Sequence, residues 1–242
     1  MNPSPAQALP PESTNSVVLA SASRTRAELL RKAGIQCVIE PARIDETAVR
    51  QSLQAAGASP DDAAMSLAEL KATKLSRQHG DRLVVGADQL LTCGDAWFDK
   101  PPDLAHARAQ LMALRGRTHH LHNAVCVVLS GAVIWRHGEQ ARLRMRSFSD
   151  GFLDAYLAEA GAAVLQSVGA YQLEGLGVQL FAEVDGDHCA ILGLPQAPLG
   201  LVRRRRCDPP CQRGTPPHAN TREAAPGADR PARRANEGQA SA

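Results

Sequence analysis

The sequence predicts an α/β protein with a mixed, twisted sheet flanked by helices, and three observations carry that prediction. Short apolar runs of strand length, such as Val17–Ala20 and Leu83–Leu91, alternate with longer stretches of helical apolar spacing. Capping residues stand at the expected helix starts, at Ser23, Ser59 and Ser149. Beyond residue 118, apolar runs follow one another with only short turns between them, the pattern of antiparallel strands.

Composition narrows the class. A chain of 242 residues has room for one large domain or two small ones. Hydrophobic residues make up 44% but aromatics only 3%, so the core must be built mostly from Leu, Val and Ala. A net charge of +2 sets up no strong field for nucleic acid or a membrane surface. No apolar run approaches a membrane span, and the N-terminus lacks the charged start and apolar stretch of a signal peptide. Cysteines at 37, 93, 126, 189, 207 and 211 show no metal-ligand spacing; four lie in apolar segments, which reads as buried, reduced thiols of a cytoplasmic protein. Residues 1–14, rich in Pro and Ser, read as a disordered leader. Residues 203–242 carry few large apolar side chains among Pro, Arg and Ala and read as a low-complexity tail, which leaves 15–202 as the expected folded domain.

The first strand, Val17–Ala20, stops at Ser21-Ala22-Ser23 and a helix begins at once. Ala27, Leu30 and Ala33 share its apolar face, Ser23 is its N-cap and Gly34 its stop. A strand turning through two serines into a helix aims free N–H groups and the positive end of a dipole at one spot, an anion site. Arg24 and Arg26 stand in the first turn, where the dipole disfavours cations, so a bound anion is expected to compensate them. Cys37–Ile39 reads as a second strand that leads to the adjacent carboxylates Asp45 and Glu46. Ser59-Pro60 opens a helix with Ala64, Leu67, Ala68, Leu70 and Leu75 as its apolar stripe and Lys71 and Lys74 along it. Leu83–Leu91 is apolar except for Asp88 and Gln89. Burying that carboxylate between two strand halves is costly unless a cation or donors compensate, which marks Asp88 as a metal ligand or general base.

Thr92–Asp95 reads as a hairpin turn, Leu104–Leu114 as a helix and Arg115–His119 as its exit into a strand. His119, His120 and His122 invite a metal reading, but in a strand His119 points away from His120, so three ligands do not converge. Strands are expected at Val125–Leu129, Val133–Trp135 and Leu143–Phe148, with turns at Ser130-Gly131 and His137-Gly138. Ser149-Asp150 caps a helix running to about Glu159. A glycine-rich loop follows over Ser167–Gly177.

Several of these segments carry recognisable motifs: Ser21-x-Ser23-x-x-Arg26 before Glu28-Leu29-Leu30, Lys71 in LAELKA, Gly86-Ala87-Asp88, Lys100-Pro101, the loop around Tyr171 and the Gly193-Leu194-Pro195 turn. Together, over roughly residues 17–200, they resemble the signature of the Maf family of nucleotide pyrophosphatases. The resemblance implies two lobes around a deep cleft, the last strands and their turn over Val178–Val184 and Ile191–Pro195, pairing into homodimers and a nucleoside triphosphate as the partner molecule. It implies roles as well: Asp88 as proton acceptor, Arg26, Lys71 and Lys100 at the phosphates, Glu46 facing the cleft, and Ser21 and Ser23 with the loop amides around the pyrophosphate. A divalent cation, Mg²⁺ or Mn²⁺, is expected on Glu46 and Asp88 together with phosphate oxygens. The implied reaction hydrolyses the bond between the α and β phosphorus of a nucleoside triphosphate.

Thr25, Gln89 and Glu174 stand where branches of the family differ, and a branch acting on 7-methyl-GTP carries Gln and Glu at the last two. Methylation at N7 makes the purine cationic, so the Glu174 carboxylate pairs with it or accepts from the guanine N1–H and N2–H. Two departures keep a second reading, a catalytically impaired nucleotide-binding regulator of septation or cell division. Gln166-Ser167 stands where most members carry a lysine, and the family's closing helix after Pro195 is not evident. Against that reading, a mere binder of triphosphates gains nothing from a buried Asp88 without a metal. A P-loop kinase is excluded because no GxxxxGK[ST] occurs, and a Rossmann dinucleotide site because no GxGxxG follows the first strand.

Overall fold

The computed structural model describes residues 16–195; the predicted leader and tail, with Cys207 and Cys211, lie outside the described residues. In chain order the elements begin β1 (Val17–Ala20), α1 (Arg24–Lys32), β2 (Cys37–Ile39), α2 (Glu46–Ala55) and α3 (Pro60–His79). β3 (Val84–Cys93), β4 (Ala96–Phe98), α4 (Leu104–Leu114), β5 (Thr118–Leu129) and β6 (Ala132–Met145) follow, then α5 (Asp150–Ala160) and a run of 3-10 turns. β7 (Phe181–Asp185) and the short α6 (His188–Ile191) complete the described fold. Seven strands form one mixed sheet in the order β2-β1-β3-β5-β6-β7, with β4 also on β3. β1 is parallel to β2 and β3, and every later pairing is antiparallel.

The two faces follow the period-two alternation of β3. Val84 and Leu90 pack with Val18, Cys126 and the alanines of α3 on one face. Val85 and Ala87 pack with Leu19, Ala27 and Leu30 of α1 on the other, and Leu91 and Cys93 continue that face against α4 and α5. The core is thus the aliphatic one that 3% aromatic content demands. Cys93 and Cys126 are buried and free, and burial pushes the Cys126 thiol up to about 12.

Gly86 sets the spacing of α3. A Cβ there would lie 2.1 Å from the Ala68 carbonyl oxygen and 2.8 Å from the Ala72 Cβ, so only glycine lets the helix come this close to β3. The α3 face that meets it is made of small residues, Ala63, Ala64, Ala68 and Ala72, all fully buried.

β3 also carries the feature that locates the site. One side of the strand is paired with β5 from Val84 to Thr92. Its other side is paired with β1 only as far as Gly86 and with β4 only from Leu91. Residues 87–90 therefore face a gap in the sheet.

β3 runs unbroken through Asp88, paired with Ala124, and cations compensate its burial as the sequence reading required. Three other expectations need correction. No turn forms at His137-Gly138, where β6 continues opposite Val125 and Ala124; its polar residues alternate with half-buried ones because one face of the strand is solvated. The segment read as a last strand at Ile191 ends a helical turn instead, since the Asp187 side chain caps the Ala190 N–H at 2.8 Å. The preceding strand is shorter than expected, starting at Phe181 after a 3-10 turn over Leu176–Leu180.

Candidate active site

The ten residues singled out from the sequence, far apart along the chain, line one cavity of about 1020 Å³ against the β3 gap: Ser21, Ser23, Thr25, Arg26, Glu46, Lys71, Asp88, Gln89, Lys100 and Glu174. The gap explains how they meet. Asp88 and Gln89 point to opposite faces of the sheet, but where the neighbouring strand is missing both faces open into the same space.

The β1–α1 turn forms as expected. Ser23 caps α1, its Oγ accepting from the Arg26 N–H at 3.3 Å, and the Ser21 Oγ accepts from the Ser23 N–H at 3.2 Å. The Arg26 Nε donates to the Gly193 carbonyl at 2.8 Å and its Nη1 to the Ser21 Oγ at 3.0 Å and the Ala87 carbonyl at 3.1 Å. The guanidinium thus ties the turn, the open edge of β3 and the chain after α6 into one unit, and Nη2 alone has no bond within the described residues. Burial lowers the Arg26 pKa against the pull of Asp88 and Glu46, but an arginine stays charged in a protein.

Asp45 caps α2, and Glu46 begins the helix with its carboxylate toward the cavity. Lys71 rises from α3, 5% exposed, and its ammonium bridges two carboxylates, at 2.7 Å from Glu46 Oε2 and 2.7 Å from Asp88 Oδ1. Burial would raise the Glu46 carboxyl, but Lys71, Arg26 and Arg50 outweigh it and hold it below the ordinary range. Lys100 lines the cavity too. Desolvation and the charges of Arg26 and Lys71 lower its ammonium below the ordinary lysine value, against Glu46 and Asp88.

Sequence reasoning missed two residues here. Arg50 is 8% exposed and lies between carboxylates, its Nη2 at 3.5 Å from Asp88 Oδ2 and its Nη1 hydrogen-bonded to Asp99. The signal was present: Arg50 is four residues after Glu46 on α2, so both share one helix face. Asp99 precedes Lys100 in the motif already noted. The result is a chain of alternating charges, Glu46, Lys71, Asp88, Arg50 and Asp99, around the 3% exposed Asp88.

The opposite wall holds the specificity candidates. Gln89 lies next to α6, its Nε2 donating to the carbonyls of Ile191 at 3.0 Å and Ala190 at 3.3 Å. Glu174 is exposed to the cavity from the turn after Tyr171. Gly169, at φ +76°, leads into this loop; a Cβ there would meet Leu91 at 2.6 Å and the Tyr171 ring at 2.7 Å. The histidines take no common site. His119 is buried with its Nε2 3.0 Å from the Tyr171 hydroxyl, while His122 turns to the other face between Thr92 and Asp61.

The chain is 49% identical over 191 residues to a nucleoside triphosphate pyrophosphatase of Granulibacter bethesdensis, covering 78% of this chain and 97% of that protein. It is 54% identical over 178 residues to a protein of the same name from Paramagnetospirillum magneticum, covering 74% and 92%. A 7-methyl-GTP pyrophosphatase of Rhizobium meliloti is 47% identical over 183 residues, covering 76% and 92%. The model of the family described as Maf-like protein matches residues 16–202, and the chain belongs to that family.

Proposed function

We propose that this protein is a nucleoside triphosphate pyrophosphatase, a hydrolase that cleaves a nucleoside triphosphate to the monophosphate and pyrophosphate, with a preference for 7-methyl-GTP. The observation that carries the reading is the buried Asp88, held between Lys71 and Arg50 beside a cavity rich in cations. Relatives named for this activity, at 47–54% identity, support it. A regulator that only binds nucleotides has no use for this arrangement, and the hydrolase reading is favoured over it.

In this reading the triphosphate lies along the β1–α1 turn. The amides after Ser21 and Ser23 and the positive end of α1 receive phosphate oxygens. Arg26 through Nη2, Lys71 and Lys100 balance the charge that grows on the departing pyrophosphate. Asp88 takes a proton from a water whose oxygen attacks the α phosphorus; the α–β P–O bond breaks and its electron pair leaves with pyrophosphate. Arg50 and Lys71 keep the Asp88 carboxylate in place for that transfer.

A divalent ion fits the residues present. Asp88 Oδ2 is buried without a hydrogen bond, facing only the Arg50 guanidinium at 3.5 Å, and Lys71 takes only one oxygen from Glu46, so these two oxygens would be the hard ligands. One or two carboxylates plus substrate phosphates is how Mg²⁺ is commonly held. Glu46 and Asp88 would hold it, and when bound it would supply Lewis-acid polarisation of the phosphoryl oxygens. Pairing into homodimers and cytoplasmic residence belong to the same proposal. No described helix is long and apolar enough to cross a membrane, and no nucleic-acid role is proposed.

The test is release of pyrophosphate from a panel of triphosphates with Mg²⁺ or Mn²⁺. We expect 7-methyl-GTP to exceed dTTP and UTP, and Asp88→Asn to keep the fold but lose turnover. Losses of two to three orders of magnitude are typical for such contacts. Near wild-type release by Asp88→Asn removes this residue from the mechanism, and faster turnover of dTTP or UTP overturns the base preference.

A further inference from the structure

Two buried, charged groups of the site stand side by side without bonding. Asp88 Oδ2 has no hydrogen bond, and Arg50 Nη2 stops 3.5 Å from it. The Arg50 Nε is also buried without a partner. A guanidinium and a carboxylate in this position ordinarily close to about 2.7–2.9 Å, often through two parallel bonds. The Lys71 ammonium already takes Asp88 Oδ1 at 2.7 Å, so Oδ2 is the oxygen of Asp88 that stays open.

What holds Arg50 short of it is Asp99. Among the described residues the Arg50 side chain makes one hydrogen bond, from Nη1 to Asp99 Oδ1. Asp99 comes from the connection between β4 and α4, and its own carbonyl accepts from Gln110 Nε2 of α4 at 2.8 Å. The anchor is therefore fixed to a different element from the one that bears Arg50. Its side chain is 43% exposed, so the Asp99 carboxylate can be replaced without opening a hole in the core.

We infer that Asp99 is a positioning residue: by holding Arg50 it keeps Asp88 Oδ2 open for a divalent ion. This rests on the reading that Glu46 and Asp88 hold that ion. Without the Asp99 carboxylate the guanidinium has lost its one bonded acceptor, and Asp88 Oδ2 is an unbonded acceptor already beside it. It closes on Oδ2, and an ion can then reach that oxygen only by displacing a charge-assisted hydrogen bond.

The experiment titrates Mn²⁺ by electron paramagnetic resonance, with α,β-methylene-GTP as a non-hydrolysable triphosphate, in the wild type, Asp99→Ala and Asp99→Asn. Arg50→Leu, alone and combined with Asp99→Ala, completes a double-mutant cycle, and melting temperatures are recorded throughout. The expected result is a fall of about ten-fold in Mn²⁺ affinity for Asp99→Ala, the size of one hydrogen bond to a charged group. Asp99→Asn keeps an oxygen where Nη1 donates and should retain the affinity, although it lacks the charge. With Arg50 replaced, Asp99→Ala should cost nothing further. In a crystal structure of Asp99→Ala, Arg50 Nη2 should lie about 2.8 Å from Asp88 Oδ2. Unchanged Mn²⁺ affinity in Asp99→Ala overturns the inference. So does an equal fall in Asp99→Asn, or the same fall without Arg50; either makes Asp99 a source of charge only. No Mn²⁺ binding by the wild type, or binding that Asp88→Asn leaves unaltered, refutes the placement of the ion itself. Should the Arg50→Leu variants fail to fold, the contrast between Asp99→Ala and Asp99→Asn decides.

Discussion

Lys100 and His119 carry shifted charges for different reasons, and each makes a pH experiment. Lys100 sits among cations in a partly dry cavity, so it gives up its proton at a lower pH than a free lysine. Charge at the phosphates is then lost early on the alkaline side. We expect the alkaline limb of the pH–activity profile to move upward in Lys100→Arg, since a guanidinium does not deprotonate; an unmoved limb dissociates Lys100 from it. His119 is fully buried, its pKa lowered to about 4 by desolvation and the neighbouring His120. The unfolded chain binds a proton at His119 near pH 6.5 while the folded one resists until about 4. Stability should therefore fall as pH drops through that window and level off below it, by up to about 3 kcal/mol. Thermal unfolding of the wild type and His119→Leu between pH 8 and pH 4 checks this: the difference between them should vary with pH in that window, and a constant difference contradicts it.

At the scale of elements, the site depends on how close α3 comes to β3. Lys71 reaches both Glu46 and Asp88 because Gly86 and the alanine face of α3 leave no side-chain layer between helix and strand. In Gly86→Ala the new methyl meets the Ala68 carbonyl, and the helix must shift. We expect a loss of about 1–3 kcal/mol, as for other overpacked cores, and a fall in turnover beyond what the reduced folded fraction accounts for. Denaturant unfolding and pyrophosphate release together measure both. Full activity would mean that the Lys71 bridge tolerates the displacement. Arg26 and Gln89 perform the corresponding service on the other side, holding Ala190, Ile191 and Gly193 against the open edge of β3.

For the whole molecule, the described fold of residues 16–195 already contains every residue placed at the site. Residues 203–242 have a composition unsuited to burial. Removing them is expected to leave kcat on 7-methyl-GTP within about two-fold and the melting temperature unchanged. A large loss in either assigns the tail a part in the enzyme.

Much of this was legible in the chain. Capping at Ser23, Ser59 and Ser149, the strand-turn-helix over Val17–Lys32, and the candidates Asp88 and Lys71 all follow from local chemistry: a hydroxyl before a helical run, an apolar strand with one acid in it. Where local reading failed, a long-range partner had decided. β6 passes through His137-Gly138 because β5 pairs with it there. Arg50 and Asp99 carry no motif of their own; they join the site through ion pairs with partners tens of residues away. The sequence by itself determined which side chains are available and which elements bear them. Only the tertiary structure decided that β3 has an open edge, and it is there that the acids, the cations and the oriented amide of Gln89 face one another, because a missing strand joins two sheet faces that pairing otherwise keeps apart.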